Sequence, residues 1–132
     1  MKTLKYLEYE KIVELNLLSV SIISVKKSDK HEVASKPKIE AVLEQCKEEN
    51  GDIYHKAAAL LTGLVRAHGF ASANRRTAMF AAKYFLMQNG EKFKVEDNPE
   101  QAKILLGIRE HYYTIDEIAE WLKNGKIREF RR

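Results

Sequence analysis

An apolar stretch of ten residues, Ala78 to Met87, constrains the fold of this chain more than any other segment, because only Lys83 interrupts it. As part of a helix from about Ala73 to Gln88 it is apolar nearly all round, and such a helix belongs in the centre of a bundle. The segment from roughly Ile53 to Ala67 also has a wide apolar face. We therefore predict that these two segments form a core helical hairpin.

Capping signals predict three further helices around this hairpin. Their starts are marked by Ser35-Lys36-Pro37, Asn98-Pro99-Glu100-Gln101 and Thr114-Ile115-Asp116-Glu117. They are expected to end at about Lys47, at Glu110 and at Asn124-Gly125. The expected fold class is all-α.

One segment near the amino end does not fit a purely helical pattern. Val20 to Val25 is β-branched with interleaved serines, and a charged stretch from Lys26 to Glu32 follows. The pattern is compatible with a strand, with an edge hairpin, or with a helix end that frays into a loop. The residues alone leave these alternatives open.

Composition limits what the protein does. At 132 residues, with 32% charged and 45% hydrophobic residues, the chain is expected to form one globular domain, residues 1–132. No apolar stretch approaches the ~20 residues that span a bilayer, and no export signal is visible. The single cysteine, Cys46, excludes an internal disulfide and suits the cytoplasm, and we expect a structural thiol there rather than a nucleophile.

The net charge is +4, and basic residues gather at the end of the chain, from Lys123 to Arg132, around Ile127 and Phe130. Such a tail can contact nucleic acid or an acidic partner. We favour a solvated terminus, because a short basic end is common and carries no geometry for reading bases. Nucleic-acid and membrane partners are therefore not expected.

The segment from His68 to Thr77 carries the chemistry. It places an imidazole, the amide of Asn74, and the guanidiniums of Arg75 and Arg76 within nine residues at the start of the central helix. A helix start attracts anions, because its first N–H groups lack intrahelical partners and lie at the positive end of the dipole. Arginine binds phosphate strongly, and histidine exchanges protons near neutral pH. The segment is therefore predicted to handle phosphate.

The spacing His68-x-Phe70-x-x-x-Asn74-x-Arg76 resembles the signature of the Fic/Doc family. It agrees best with the Doc (death-on-curing) branch, in which a basic residue and then Arg-Thr follow the Asn. The likeness covers most of the chain, with residues about 20 to 40 the least alike. In this family the region corresponding to residues 20–34 tends to be a β-flap that receives the target's backbone, and a helix near Tyr9 is the first of the bundle.

The resemblance implies a role for each motif residue. His68 would be the general base that takes a proton from an attacking hydroxyl, and Arg76 the catalytic cation on the phosphoryl group. Phe70 would support the loop. The implied nucleotide- or phosphate-binding residues are Ser72, Ala73, Asn74, Arg75 and Arg76. For Asn74, the cap of the following helix is an additional or alternative role.

Two positions depart from the family's pattern. Ser72 stands where members normally have Asp or Glu, a carboxylate that helps to hold Mg²⁺ against the phosphates. We therefore expect metal-dependent transfer to be weakened or lost, with some nucleotide binding surviving, and Asp29, Glu32 and Asp52 are candidates for a replacement acid. Gly69 stands where many members have Pro, and we expect it to loosen the loop.

By resemblance, the favoured function is that of a Doc-like toxin of a toxin–antitoxin system. It would use ATP, with Mg²⁺ as a doubtful cofactor, to modify a protein hydroxyl on the translation machinery, and an antitoxin-like protein would be its partner. Arg75 stands where AMP-transferring members have Gly, which favours phosphoryl over adenylyl transfer. One alternative is a catalytically impaired relative that binds a nucleotide or a partner. The least favoured is a small helical nucleic-acid-binding protein.

Overall fold

The computed structural model describes residues 3–22 and 31–131, and within these residues it contains six helices. In chain order they are α1 (Tyr9–Ile22), α2 (Lys36–Glu48), α3 (Ile53–Ala67), α4 (Asn74–Gln88), α5 (Glu100–Arg109) and α6 (Ile115–Asn124). The β-structure of the same residues is limited to one antiparallel bridge between Val33 and Phe70. The all-α prediction is confirmed. No helix in the described ranges has the length and apolar character needed to cross a membrane.

Helix α3 lies at the centre of the bundle. It packs most extensively against α4, while α2, α5 and α6 cover its other faces and α1 packs on α4. Five successive residues of α3, Ala57 to Leu61, are buried, because neighbouring helices surround it. The predicted hairpin of α3 and α4 is confirmed. Helix α4 is less enclosed than expected, since its Tyr84 and Met87 are 38% and 59% exposed.

The helix ends follow the capping signals, with one exception. Thr114 and Glu117 form the complete capping box of α6, and Ser35 caps α2 with its side chain. At α5, the side chain of Asn98 accepts from the N–H of Glu100 at 3.0 Å. Gln101 does not return the bond, because its amide donates to the carbonyl of Glu96 instead. The capping box predicted at α5 is therefore wrong, because the helix begins at Glu100 with Pro99 at its N-cap, and Asn98 bonds only the N–H two residues later.

The β-prone segment continues α1 as a helix up to Ile22. Ser21 fits there because its hydroxyl donates to the backbone carbonyl of Leu17 at 2.8 Å, as the hydroxyl of Ser19, just before the segment, does to that of Leu15. A strand over residues 20–22 is therefore wrong, and the helical part of the helix-end alternative is confirmed. Residues 23–30 lie outside the described part of the chain. Of the expected β-flap, only the bridge at Val33 is found among residues 31–34.

The basic carboxyl end packs onto the bundle. Phe130 is buried, and its ring meets that of Tyr112 edge-on at 4.9 Å. The guanidinium of Arg128 lies 4.0 Å from the centre of the Tyr112 ring and also pairs with Glu117. The described basic side chains of this stretch are exposed, as expected of a solvated terminus, but buried Phe130 and the ion pair of Arg128 hold its backbone against the bundle.

Candidate active site

The motif forms a tight loop between α3 and α4. His68 ends α3 and Ala73 precedes α4, and both have a left-handed backbone, with φ of 50° and 63°. This conformation costs roughly 1–2 kcal/mol for a residue with a Cβ. Among the described residues, His111 is the third non-glycine residue with positive φ. Backbone strain gathered in one loop must be held by its surroundings, and it is typical of functional sites.

The side chain of Asn74 closes the loop. Its oxygen accepts from the N–H of Phe70 at 3.0 Å, and its Nδ2 donates to the Phe70 carbonyl at 2.9 Å. The ring of Phe70 is buried, as its supporting role predicts. Asn74 is the first residue of α4 rather than its N-cap, which is Ala73. The capping alternative for Asn74 is therefore wrong, and one amide hydrogen remains for a ligand.

A buried amide on α1 holds the other side of the loop. Asn16 is fully buried, and its Nδ2 donates at 3.0 Å both to the carbonyl of Ser72 and to the hydroxyl of Thr77. Its oxygen lies 2.8 Å from Nδ1 of His31. Because that oxygen can only accept, Nδ1 of His31 must carry the hydrogen. The Asn16 amide thus ties α1 to the loop at Ser72, to α4 at Thr77 and to His31.

Gly69 is held firmly. Its carbonyl accepts from the N–H groups of Ala34 and Ser35, at 2.8 and 3.0 Å. A Cβ added at this position would lie 2.4 Å from Cγ1 of Ile39 in α2. The expectation that Gly69 loosens the loop is therefore wrong, because only a residue without a side chain lets α2 approach so closely.

The loop forms one wall of an open cleft of about 610 Å³, and α5 forms the other. From the loop side the lining residues are Val65, His68, Ala71, Ser72, Ala73, Asn74, Arg75 and Arg76. From the α5 side they are Asn98, Gln101, Ala102, Leu105 and Arg109. The structure therefore brings together every residue that the sequence predicted for catalysis or phosphate binding, with Phe70 buried behind them.

The cleft is cationic. Three guanidiniums, those of Arg75, Arg76 and Arg109, line it together with the imidazole of His68, and no carboxylate is among its described lining residues. Ala73 at the N-cap offers no side-chain oxygen to the first N–H groups of α4. A helix start of this kind, beside permanent positive charges, suits an anionic ligand.

The donor set does not fit Mg²⁺. Ser72 supplies a neutral hydroxyl, and the described lining of the cleft contains no carboxylate, the ligand that Mg²⁺ usually takes beside phosphate oxygens. Asp52 precedes α3 at the end opposite His68, roughly 24 Å away along the helix, so it is wrong as the replacement acid. Glu32 approaches the loop with its carbonyl, which accepts from Ala71, but its side chain does not line the cleft. Asp29 lies outside the described residues.

The carbonyl of Glu32 engages the N–H of Ala71, a small residue of the loop. That group already has a partner at 2.9 Å. The backbone groups that face an anion must therefore come from further along, at the start of α4.

The remaining histidines and the cysteine lie outside the cleft. His55 bridges Asp52 and Asp116 at 2.8 and 2.9 Å. His111 is exposed in the turn after α5. The thiol of Cys46 in α2 is buried against α3, and burial raises its pKa to about 11, so it is a structural thiol rather than a nucleophile.

The sequence model of the Fic/DOC family matches residues 19–86, just over half of the chain, and the match includes the whole loop. The chain therefore belongs to the Fic/Doc family. One relative, "Protein kinase doc" of Escherichia phage P1, is 34% identical over 76 residues, which are 58% of this chain and 59% of the relative. The match thus spans less than two thirds of that protein's length.

Sequence reasoning missed the residues that reach the loop from elsewhere in the chain. Asn16 was detectable as a polar residue on the apolar face of α1, between Ile12 and Ser19. Gln101 and Arg109 are separated by two helical turns of α5, but nothing local shows that this face lines the cleft. Only the packing of α5 beside the motif determines that this face lines the cleft.

Proposed function

We propose that this protein transfers the γ-phosphoryl group of ATP to a hydroxyl group of another protein. The observation that carries the proposal is the cleft, in which His68 and the guanidiniums of Arg75 and Arg76 line the same open volume at the start of α4. A base beside fixed cations is what an attack on phosphorus requires. The name of the phage relative, a protein kinase, supports phosphoryl transfer.

In the proposed step, His68 accepts the proton of the target hydroxyl as its oxygen attacks the γ-phosphorus. The bond between that phosphorus and the bridging oxygen of the β-phosphate breaks, and ADP leaves with the electron pair. Arg76 and Arg75 stabilise the negative charge that develops on the phosphate oxygens. Asn74 contributes mainly by closing the loop that aims these groups.

The test follows label from ATP into proteins of a bacterial extract. Label from the γ-phosphate should enter a protein and label from the α-phosphate should not, whereas transfer of the α-label would make the protein an adenylyltransferase. The His68→Ala variant should abolish transfer. His111→Ala is the matched control, because His111 is also exposed and also left-handed, with φ of 61°, yet lies outside the cleft. That control should retain activity.

We further propose that the protein acts as a Doc-like toxin on the translation machinery and is restrained by an antitoxin-like partner, all in the cytoplasm. Four large apolar side chains are exposed on α1 and α4, which supports a docking surface for such a partner: Leu17, Leu18, Tyr84 and Met87. Induced expression should stop incorporation of labelled amino acids in bacterial cells. His68→Ala should restore incorporation, and equal arrest by that variant would exclude a catalytic toxin.

A second candidate function is that of an impaired relative that binds a nucleotide or a partner without transferring phosphate. Ser72, in place of an acidic residue, favours it. Binding of ATP by calorimetry, together with no label transfer under any metal condition, would select this function over the kinase.

A further inference from the structure

We propose that Arg109 of α5 is a third phosphate-binding cation of the cleft, and that with Arg75 and Arg76 it binds the polyphosphate of ATP without Mg²⁺. The inference rests on the proposed function only for the identity of the nucleotide. Its basis is that the three guanidiniums line one cleft from two different walls, and that no carboxylate lines that cleft within the described residues.

The position of Arg109 is determined by packing rather than by chance exposure. Gln101, Leu105 and Arg109 are spaced by four residues and so share one face of α5. Leu105 is buried in the core, which fixes that face against the bundle. The next turn of the helix therefore carries the Arg109 side chain along the wall of the cleft.

A hydrogen bond ties the two walls together beside this residue. Nε of Arg66 donates to the carbonyl of Ile108 at 3.0 Å. Arg66 lies two residues before His68 in the chain, and Ile108 directly precedes Arg109. The end of α3 that presents the base and the end of α5 that presents the third cation are thus held at a fixed separation.

The charge of Arg109 is available to a ligand. Its ion pair with Glu110 spans 4.0 Å, and both side chains are more than a third exposed, so solvent screens the pair. A triphosphate carries several negative charges, which proteins commonly neutralise with Mg²⁺ held by a carboxylate. In this cleft permanently charged guanidiniums are placed to provide that neutralisation instead.

Isothermal titration of ATP and of inorganic tripolyphosphate, in EDTA and in Mg²⁺, tests the proposal. ATP should bind in EDTA, and Mg²⁺ should not tighten the binding. Arg109→Gln should weaken binding about tenfold or more, the usual effect of losing a charge-assisted hydrogen bond. Arg109→Lys should retain most of the affinity, because it keeps the charge.

Lys103→Gln is the matched control. It removes one charge from the same helix, but Lys103 pairs with Glu129 and does not line the cleft. Its affinity for ATP should equal that of the wild type. A Ser72→Asp variant should acquire an affinity that rises with Mg²⁺, because it introduces the carboxylate that the cleft lacks.

Unchanged affinity in Arg109→Gln, or wild-type binding that requires Mg²⁺, would overturn the inference. If Arg109→Gln transferred γ-label with unchanged affinity for ATP, the kinase function would stand and the inference would fall. If ATP bound in EDTA through Arg109 and no label were transferred, the inference would stand and the kinase function would fall.

Discussion

The buried amide of Asn16 donates a hydrogen bond of 3.0 Å to the hydroxyl of Thr77, a residue 61 positions later in the chain. The same hydroxyl donates to the carbonyl of Ala73 at 2.7 Å. Asn16 of α1 is therefore connected through Thr77 to Ala73, the residue with a left-handed backbone at the start of α4. A polar group buried on one helix is thus satisfied by the loop that carries the proposed chemistry. We infer that α1 is part of the support of the site.

Replacing this amide should cost both stability and activity. Asn16→Ala removes the two donated bonds, one of them to the buried hydroxyl of Thr77 and one to the partly buried carbonyl of Ser72, so the free energy of unfolding should fall by about 2–3 kcal/mol. Urea denaturation measures the change. Ser21→Ala, which loses an exposed hydroxyl of the same helix, should change it by less than about 0.5 kcal/mol. Equal effects of the two substitutions would show that the Asn16 bonds contribute nothing.

A side chain at position 69 should be tolerated poorly. Gly69→Ala places a Cβ within 2.4 Å of Ile39, so we expect a loss of about 1–3 kcal/mol through overpacking. In a double-mutant cycle, Ile39→Ala should relieve part of that loss, because it removes the colliding atoms. Strict additivity of the two substitutions would contradict the close approach of α2 to the loop.

The contact that His55 of α3 makes with Asp116 of α6 should depend on pH. The hydrogen bond to Asp52 raises the pKa of His55 above 6.5, against the opposing effect of partial burial. The contribution of His55 to stability is therefore complete below pH 6.5 and is lost as the pH rises through its raised pKa. Between pH 6 and 9, the wild type should lose more thermal stability than His55→Gln. An equal change in melting temperature between pH 6 and 9 for the two proteins would refute this contribution of His55.

At acid pH the interaction between Asp52 and His55 should weaken, because the Asp52 carboxylate becomes protonated. Partial burial acts to raise the pKa of Asp52, but the hydrogen bonds from His55 outweigh it and lower the pKa below 3.8. The contribution of Asp52 is present above pH 3.8 and is lost as the pH falls through the lowered pKa. Asp52→Asn should therefore reduce stability at pH 6 and make little difference at pH 2.

Cys46 should be chemically inert in the folded protein. Burial raises its pKa from 9.0 to about 11, so the thiolate fraction at pH 8 is about 100-fold lower than for an unperturbed thiol. Alkylation by iodoacetamide at pH 8 should be at least that much slower in the native protein than in urea. Similar rates in both conditions would mean that the thiol is accessible.

Local patterns were sufficient to predict much of the bundle and the centre of the site. The spacing of His68, Asn74 and Arg76 brings these residues together through a few covalent bonds and one helical turn, so no tertiary information is needed to group them. The same is true of the caps at Ser35 and Thr114, where each side chain acts on the backbone three residues later. Sequence also determined the pairing of α3 with α4, because two apolar helices joined by a short loop must bury each other.

Other features depend on residues far apart in the chain, and only the tertiary structure decided them. Val20 and its neighbours are β-prone, yet they continue α1, because packing on α4 outweighs weak local propensity. Asn16 acquires its role from Thr77, and Phe130 is buried by Tyr112. Arg109 lines the cleft because Leu105 is buried and Arg66 holds the end of α5. Local sequence specifies which groups a segment carries, whereas long-range packing determines which of those groups face one another.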